Sequence, residues 1–244
     1  MNFLPPAFPA RRLSRTAALA AGCAAILAAT FSGQAQAETE SRNVADFDEV
    51  VFSVAGEVRI EQGGRESLSI EAEPKVLRKI TTEVRDRRLV IGLSQGKVET
   101  DQPIRMKLAV RNLKSFESRT TGEIGIGALR GDTLALVLAG GGSIRLDRLE
   151  TARSLDVRIA GAGEVTVGGG KVTAQKLSIT GSGTYVAPKL ASESADITIS
   201  GNGEVQLAAS ARLDVRISGI GNVRYHGNPA ITRSIQGIGS IEKD

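Results

Sequence analysis

The chain of 244 residues has one cysteine, one histidine, no tryptophan, two tyrosines and six phenylalanines. A lone cysteine excludes a disulfide-stapled mini-protein, and one cysteine with one histidine excludes a Cys/His zinc module. Glycine numbers 28, far below the third of all residues that a collagen-like rod requires. Charge is too balanced for a disordered acidic or basic tail, with 31 Lys and Arg against 27 Asp and Glu. Long apolar runs are also missing, with one exception at the start.

That exception is a leader. Arg11, Arg12 and Arg15 precede an apolar run from Ala17 to Phe31, and Ala35-Gln36-Ala37 follows. Basic start, short apolar core and Ala-x-Ala site together predict a secretory signal peptide, residues 1–37, cleaved after Ala37. The apolar core is about 15 residues, short of the roughly 18 that a membrane-spanning helix needs. The adjacent arginines suggest the twin-arginine route as an alternative to Sec export, but the usual Phe-Leu-Lys continuation is absent. Cys23 after Ala20-Ala21-Gly22 has a faint lipobox character, yet apolar residues continue to Phe31, as a signal core does. Removing the leader removes three arginines and no acids, so 28 basic face 27 acidic residues and the mature net charge is +1. The basic excess that would suit nucleic acid or an anionic membrane is thus lost with the leader. No thiol remains for an oxidising periplasm or exterior, and no later segment is long and apolar enough to anchor the chain.

The mature chain divides near residue 120 into a more charged N-terminal β region, 38–120, and a glycine-rich repeat region, 121–244, read as one continuous domain. The first predicts short alternating strands at Val50–Val54, Val58–Ile60, Leu68–Ala72, Ile80–Val84, Leu89–Leu93 and Ile104–Val110. Turns fall at Gly63-Gly64, Gly96 and Pro103, with a short helical or irregular patch at Pro74–Lys79. In the second, Gly-x-Gly recurs at Gly140/Gly142, Gly161/Gly163, Gly181/Gly183, Gly201/Gly203, Gly219/Gly221 and Gly237/Gly239, all read as turn glycines. First-glycine spacings are 21, 20, 20, 18 and 18. Each pair joins two alternating stretches: Leu155, Val157 and Ile159 lead in, and Val165 and Val167 lead out. The fold expected is all-β, a parallel β-helix or β-solenoid with 18–21-residue coils of about three sides. The N-terminal strands form irregular coils or a capping sheet. Glycine suits the corners by accepting positive φ and by letting neighbouring coils stack closely.

A dinucleotide site needs strand, glycine loop and helix; here every glycine pair is followed by another strand, so the corners are structural. With that pattern established, the chain resembles a family of exported bacterial proteins, the auto-transporter adhesin head or head GIN domain. The resemblance spans Val44 to Glu242. It is carried by Phe47-Asp-Glu-Val-Val-Phe-Ser-Val-Ala-Gly-Glu-Val-Arg-Ile60, by Leu89-Val-Ile-Gly-Leu93, and by the Ser200-Gly-Asn-Gly203 and Ser218-Gly-Ile-Gly-Asn222 corners. It implies a β-helical domain without assigned chemistry and transfers no catalytic residue. No translocation barrel follows the repeats, which counts against a self-sufficient surface adhesin.

Residues with candidate chemistry are few. His226, beside Tyr225, is a poor centre for a triad without a positioned serine and acid, and one histidine leaves zinc only carboxylates. No cofactor is expected. Stacked coils place equivalent residues about 4.8 Å apart. Before the corners this makes one ladder of Asp156, Lys176, Asp196, Asp214 and Thr232, and another of Arg158, Ser178, Thr198, Arg216 and Ser234. Asp196, Thr198, Asp214 and Arg216 form the candidate ligand patch, for sugar hydroxyls or Ca²⁺, against the simpler reading of a solvated face of opposed charges. After the corners runs Ser143, Glu164, Thr184, Glu204, Asn222 and Ser240, read as a solvated ladder. The functional expectation is a non-enzymatic binding or scaffolding domain of the cell envelope, periplasmic or at the surface, contacting an envelope glycan or protein. A polysaccharide lyase or hydrolase and a self-associating structural element are the alternatives.

Overall fold

The computed structural model describes residues 37–94, 100 and 102–244. The leader, Cys23 and the Gly96 turn lie outside the described residues. The chain from Glu38 onward winds its strands into one continuous twenty-stranded sheet.

The N-terminal region holds β1 (Glu38–Arg42), β2 (Glu49–Phe52), β3 (Gly56–Gln62), β4 (Ser67–Ala72), α1 (Pro74–Leu77), β5 (Ile80–Arg85), β6 (Arg88–Leu93) and β7 (Arg105–Val110). β8 (Ser115–Ser118) and β9 (Gly122–Arg130) follow. Coil order departs from chain order here. β2 pairs in parallel with β6 on one edge and β8 on the other, and β3 likewise lies between β7 and β9. The first coil is therefore sandwiched between two later ones. Antiparallel strands then cover this end: β4 on β7, β1 on β4 and β5 on β6. Helix α1, begun by a proline at its first turn, adds Val76 and Leu77 to the core. The N-terminal strands thus form both irregular coils and a capping sheet.

From β8 the winding is regular. Strands leading into the corners are β10 (Thr133–Leu138), the end of β11 (Gly141–Ile159), the ends of β13 (Gly170–Ile179) and β15 (Leu190–Ile199), β17 (Arg212–Ile217) and β19 (Ala230–Ile235). Strands leading out are β9, the start of β11, β12 (Ala162–Val167), β14 (Ser182–Ala187), β16 (Asn202–Ala208), β18 (Ile220–His226) and β20 (Ile238–Lys243). Every neighbour is parallel, and apart from one register shift between Leu149 and Ala152 the pairing is in register, so Val157 lies between Leu136 and Leu177, and Val165 between Ile144 and Tyr185. Period-two alternation sends these residues inward, where they are at most 3% exposed. Stacking each coil's apolar face on the next buries a continuous core that no coil could bury alone.

The two glycines of each pair turn out to have different places, which corrects their common reading as turn residues. First glycines sit at the bend between strands. Second glycines lie inside the outgoing strands: Gly142 in β11, Gly163 in β12, Gly183 in β14, Gly203 in β16, Gly221 in β18 and Gly239 in β20. From Gly142 to Gly239 each pairs in register with the second glycine of the adjacent coil, so they extend the ladder instead of reversing the chain.

Space, not φ, explains both columns. Among the six pairs only Gly142 has φ in the left-handed range. A Cβ on Gly161, Gly181, Gly201, Gly219 or Gly237 would meet the carbonyl oxygen of the first glycine one coil earlier. Each approach falls well inside the 3.0 Å that real Cβ atoms keep. First glycines thus form a column in which every carbonyl occupies the place of the next side chain. At the second glycines the obstruction is divided: backbone carbonyl is nearest at Gly142, Gly163 and Gly239, and core isoleucine is nearest at Gly183, Gly203 and Gly221. A Cβ on Gly183 would lie 2.5 Å from Ile159 Cγ2, and one on Gly221 2.8 Å from Ile199 Cδ1. On Gly239 it would lie 2.0 Å from the Gly221 carbonyl oxygen and 3.2 Å from Ile217 Cδ1. At Gly183, Gly221 and Gly239 the last isoleucine of the preceding coil's incoming strand reaches under the outgoing strand, which leaves room there only for hydrogen.

Two further features shape the ends. Asp48 is 3% exposed, and Arg87 Nη2 and Lys114 Nζ approach its Oδ2 at 3.0 and 2.7 Å. Arg87 sits with Asp86 in the two-residue turn between β5 and β6, both at positive φ as a type I′ hairpin requires. Its carbonyl accepts the amides of Asp48 and Glu49, so this residue clamps neighbouring coils together. Burial alone would raise the Asp48 pKa, but hydrogen bonds from Lys114 and Arg87 and their charges outweigh it and hold the carboxyl below its ordinary 3.8. At the other end, β19 and β20 set Arg233 and Lys243 in register with the inward Val215 and the half-buried Tyr225.

This packing sets measurable costs. Gly201→Ala lowers stability by about 3 kcal/mol in chemical denaturation, since backbone must move. Gly63→Ala, where a Cβ meets nothing within 4 Å, changes it by under about 1 kcal/mol. The Asp48 carboxylate binds its proton less readily folded than unfolded, so its contribution is full at neutral pH. It fades as pH falls below 3.8 toward the lower folded value. An acid-unfolding curve for Asp48→Asn should accordingly be flatter in that range than for wild type.

Candidate functional site

Register places the predicted ladder as expected: Asp196 lies beside Lys176 and Asp214, and Thr198 beside Ser178 and Arg216. The carboxylates, however, are already engaged. Arg216 Nη1 donates to Asp196 Oδ1 at 3.1 Å, and Arg212 Nε lies 3.3 Å from Asp214 Oδ2. Asp156 is paired likewise with Arg158 at 3.1 Å. The patch of Asp196, Thr198, Asp214 and Arg216 is therefore one surface, held together by cross-coil and same-strand ion pairs. A shallow pocket of about 240 Å³ touches it at Thr198 and Arg216.

The ladder beyond the corners differs. Ser143, Glu164, Thr184, Glu204, Asn222 and Ser240 run side by side across consecutive coils. Two residues earlier runs a second row, Gly141, Ala162, Ser182, Asn202, Ile220 and Ile238. Between the rows run the second glycines, whose bare backbone forms the floor. The result is a trough of about 540 Å³ along the solenoid axis, lined by Glu164, Ser182, Thr184, Asn202, Glu204, Asn222 and glycine backbone. Thr166 Oγ1 donates to Glu164 Oε1 at 2.5 Å, and Arg224 pairs with Glu204. The sequence reading identified this ladder but not the trough, because the trough also needs the row two residues earlier and the stacked glycine strands between them.

A second concavity was not anticipated. Where the glycine spacing drops from 20 to 18 residues, β13 and β15 still have strand on the third side and β17 does not. The step leaves a groove of about 390 Å³ lined by Val172, Ala191, Ser192, Ala208, Ala209, Ser210 and His226, among others. The Ala208 carbonyl at this step is taken from inside the core: Ser192 Oγ donates to it at 2.6 Å and Gln175 Nε2 at 3.3 Å. Gln175 also donates to Ser192 Oγ, and its Oε1 accepts Tyr185 Oη at 2.6 Å. Burial pushes the Tyr185 phenol far above its usual range, so it serves as a donor at every ordinary pH. Gln175 stands in register with Leu155 and Ala195, and Tyr185 with Val165 and Val205. A glutamine at an inward position was the sequence signal for this network.

His226 lines the same groove, and its Nε2 lies 3.5 Å from Asp244 Oδ2. The Ser192 hydroxyl in that groove donates to the Ala208 carbonyl, not to imidazole, which is not the geometry of an activated nucleophile. A larger, open cleft of about 650 Å³ holds Lys114, Arg130, Asp132 and Glu150. Its charges are paired in turn, Lys114 with Asp48, Arg130 with Glu150 and Arg153 with Asp132. Among the described residues no helix is long and apolar enough to cross a membrane, and no three His, Cys, Asp or Glu converge on a metal-sized site.

A parallel, glycine-cornered β-solenoid with ion-paired faces and a polar trough defines the class: a repeat scaffold that presents extended surfaces. The chain belongs to the family described as "Putative auto-transporter adhesin, head GIN domain", whose model matches residues 46–229. No curated protein matches it. Among solved structures it is similar to a "putative adhesin" from Bacteroides fragilis, 22% identical, covering 86% of this chain and 97% of that one with a TM-score of 0.81. It is similar also to a "putative adhesin" from Parabacteroides distasonis, 23% identical, covering 87% and 98% with a TM-score of 0.63. A "putative lipid binding protein" from the same species is 24% identical over 87% and 98%, with a TM-score of 0.64. At these identities the likeness establishes the fold.

Tyr185→Phe removes the donor to Gln175 Oε1 without changing shape. Thermal and denaturant unfolding should register a loss of about 1–2 kcal/mol, with the far-ultraviolet spectrum unchanged.

Proposed function

We propose that this protein is an exported, non-enzymatic binding module of the bacterial cell envelope, adhesin-like in presenting a rigid repeat surface. The observation that carries the reading is the trough. On the face that carries Asp156, Asp196 and Asp214 each carboxylate is paired with a guanidinium group, whereas along the glycine corner, among the described residues, free hydroxyls and amides join Glu164 and the Arg224-paired Glu204 in lining an open channel across successive coils. Extended recognition across many coils is what a solenoid does well. The family's description as an adhesin head supports binding.

Export is supported by the leader, whose Ala-x-Ala site directly precedes Glu38, the first residue of β1 in the capping sheet. The repeat corners and the N-terminal region from Glu38 share one hydrophobic core, which supports a single continuous domain. Against the self-associating alternative, Arg233 and Lys243 occupy the register of inward residues in the coil of β19 and β20. Charges at those register positions on the last coil oppose the stacking of another copy.

The test is retention of the purified protein on separated peptidoglycan, lipopolysaccharide and membrane-protein fractions. Retention on one fraction that Glu164→Ala with Glu204→Ala abolishes, and that Asp214→Asn with Arg216→Gln leaves intact, is the expected result. Retention on none, or loss only with the second pair, contradicts the reading.

A further inference from the structure

We propose that the corner trough takes a linear, uncharged glycan laid along the solenoid axis, contacted through its hydroxyl and acetamido groups; this deepens the binding role above and rests on it. Three independent observations lead there. The first is unused hydrogen-bonding capacity. Among the described residues no hydrogen bond engages the side chains of Ser182, Thr184 or Asn202, and Asn222 uses only its Oδ1, accepting from Ser240. A wall of hydroxyls and amides with both donors and acceptors suits a polyol.

The second is periodicity. Within the trough the ladder reads acid, neutral, acid, neutral at Glu164, Thr184, Glu204 and Asn222, so over these four coils its chemistry repeats every second coil, and Ser240 beyond them ends the alternation. With strands about 4.8 Å apart, that repeat is about 9.6 Å. An extended peptide advances about 3.3 Å per residue, so only every third residue, about 9.9 Å on, returns to this repeat, and because successive side chains alternate in direction that residue faces away from the trough. An extended β-1,4-linked pyranose chain advances by nearly one coil spacing per ring and turns each ring over relative to the last, so it also repeats every second unit. One ring per coil sets every second ring opposite the same kind of ladder residue, Glu164 and Glu204 or Thr184 and Asn222.

The third is apolar. Ile220 and Ile238 continue the row of Ala162, Ser182 and Asn202 in register, yet are 52% and 72% exposed. Two large aliphatic side chains stacked at the end of a polar channel offer the C–H face of a sugar ring a place to pack. A pyranose carries both the hydroxyl edge and the C–H face that these two surfaces need. Charge sets the remaining choice. Carboxylates only accept hydrogen bonds, and Glu164 and Glu204 repel a polyanion, with Arg224 offsetting one of them. Uncharged and acetamido-bearing chains are favoured over uronates.

The experiment is calorimetric titration of the purified protein with the di-, tetra- and hexasaccharide of β-1,4-linked N-acetylglucosamine, with oligogalacturonate as the acidic control. Affinity should rise from di- to tetrasaccharide and level off by the hexasaccharide, and the control should not bind. Glu164→Gln with Glu204→Gln keeps side-chain size and should weaken the tetrasaccharide about tenfold or more, as should Ile220→Ser, each with an unchanged melting temperature. Equal affinity at all lengths, preference for the acidic control, or indifference to both variants overturns the proposal. Retention on envelope fractions, measured alongside, separates this inference from the broader one. Retention without oligosaccharide binding overturns the ligand and leaves the binding role standing, and absence of both overturns both.

Discussion

The structure depends on one close approach. At each corner the carbonyl oxygen of one first glycine sits where the next coil's first glycine would carry its Cβ, from Gly140 through Gly237. Parallel strands must lie about 4.8 Å apart to share hydrogen bonds, and the chain can reverse direction at that spacing only if nothing projects between coils. Every larger feature inherits this condition. Strands enter and leave in register, inward positions stack aliphatic on aliphatic, and outward positions form ladders whose chemistry is set coil by coil. The trough runs along the same corner, with bare glycine backbone as its floor.

The scaffold also accommodates its own irregularities by satisfying backbone groups locally. Shortening a coil leaves the Ala208 carbonyl facing the core, and Ser192 and Gln175 meet it there while Tyr185 completes the network. Burying such groups unpaired would cost several kcal/mol, so the polar cluster offsets the step rather than decorating it. At the N-terminal end Asp48 plays a comparable part between coils that are distant in sequence.

Much of this was legible in the residues. Alternation located β2 through β7 to within a few residues, and glycine spacing defined the corners and the parallel winding. What could not be read depends on pairing at long range. Nothing local says that β6 and β7 lie outside β2 and β3, because the exchange rests on which edges β2 and β3 offer. Arg59 reaches across β9 to Asp147 at 3.0 Å only because Gly125 leaves its guanidinium room, a contact 88 positions apart in the chain. The candidate ladder aligns as expected, but the partner of Asp214 is Arg212 on its own strand, which alignment between coils does not reveal. Positive φ was expected at the corners generally and occurs at Gly142, since crowding, not backbone handedness, is what excludes other residues. The same crowding separates the two glycines of a pair. Gly183, Gly221 and Gly239 look like turn residues in the sequence, yet they are strand residues kept small by the isoleucines and glycine backbone packed against them.

Recognition along the glycine corner is the claim on which the functional reading turns. The most direct measurement is a map of backbone amide chemical-shift changes on adding solubilised envelope polysaccharide to isotopically labelled protein. Shifts concentrated at Gly163, Thr184, Gly203, Glu204 and Asn222 across adjacent coils are the predicted result. Shifts confined to the strands bearing Asp196 and Arg216, or to the groove beside His226, would contradict it.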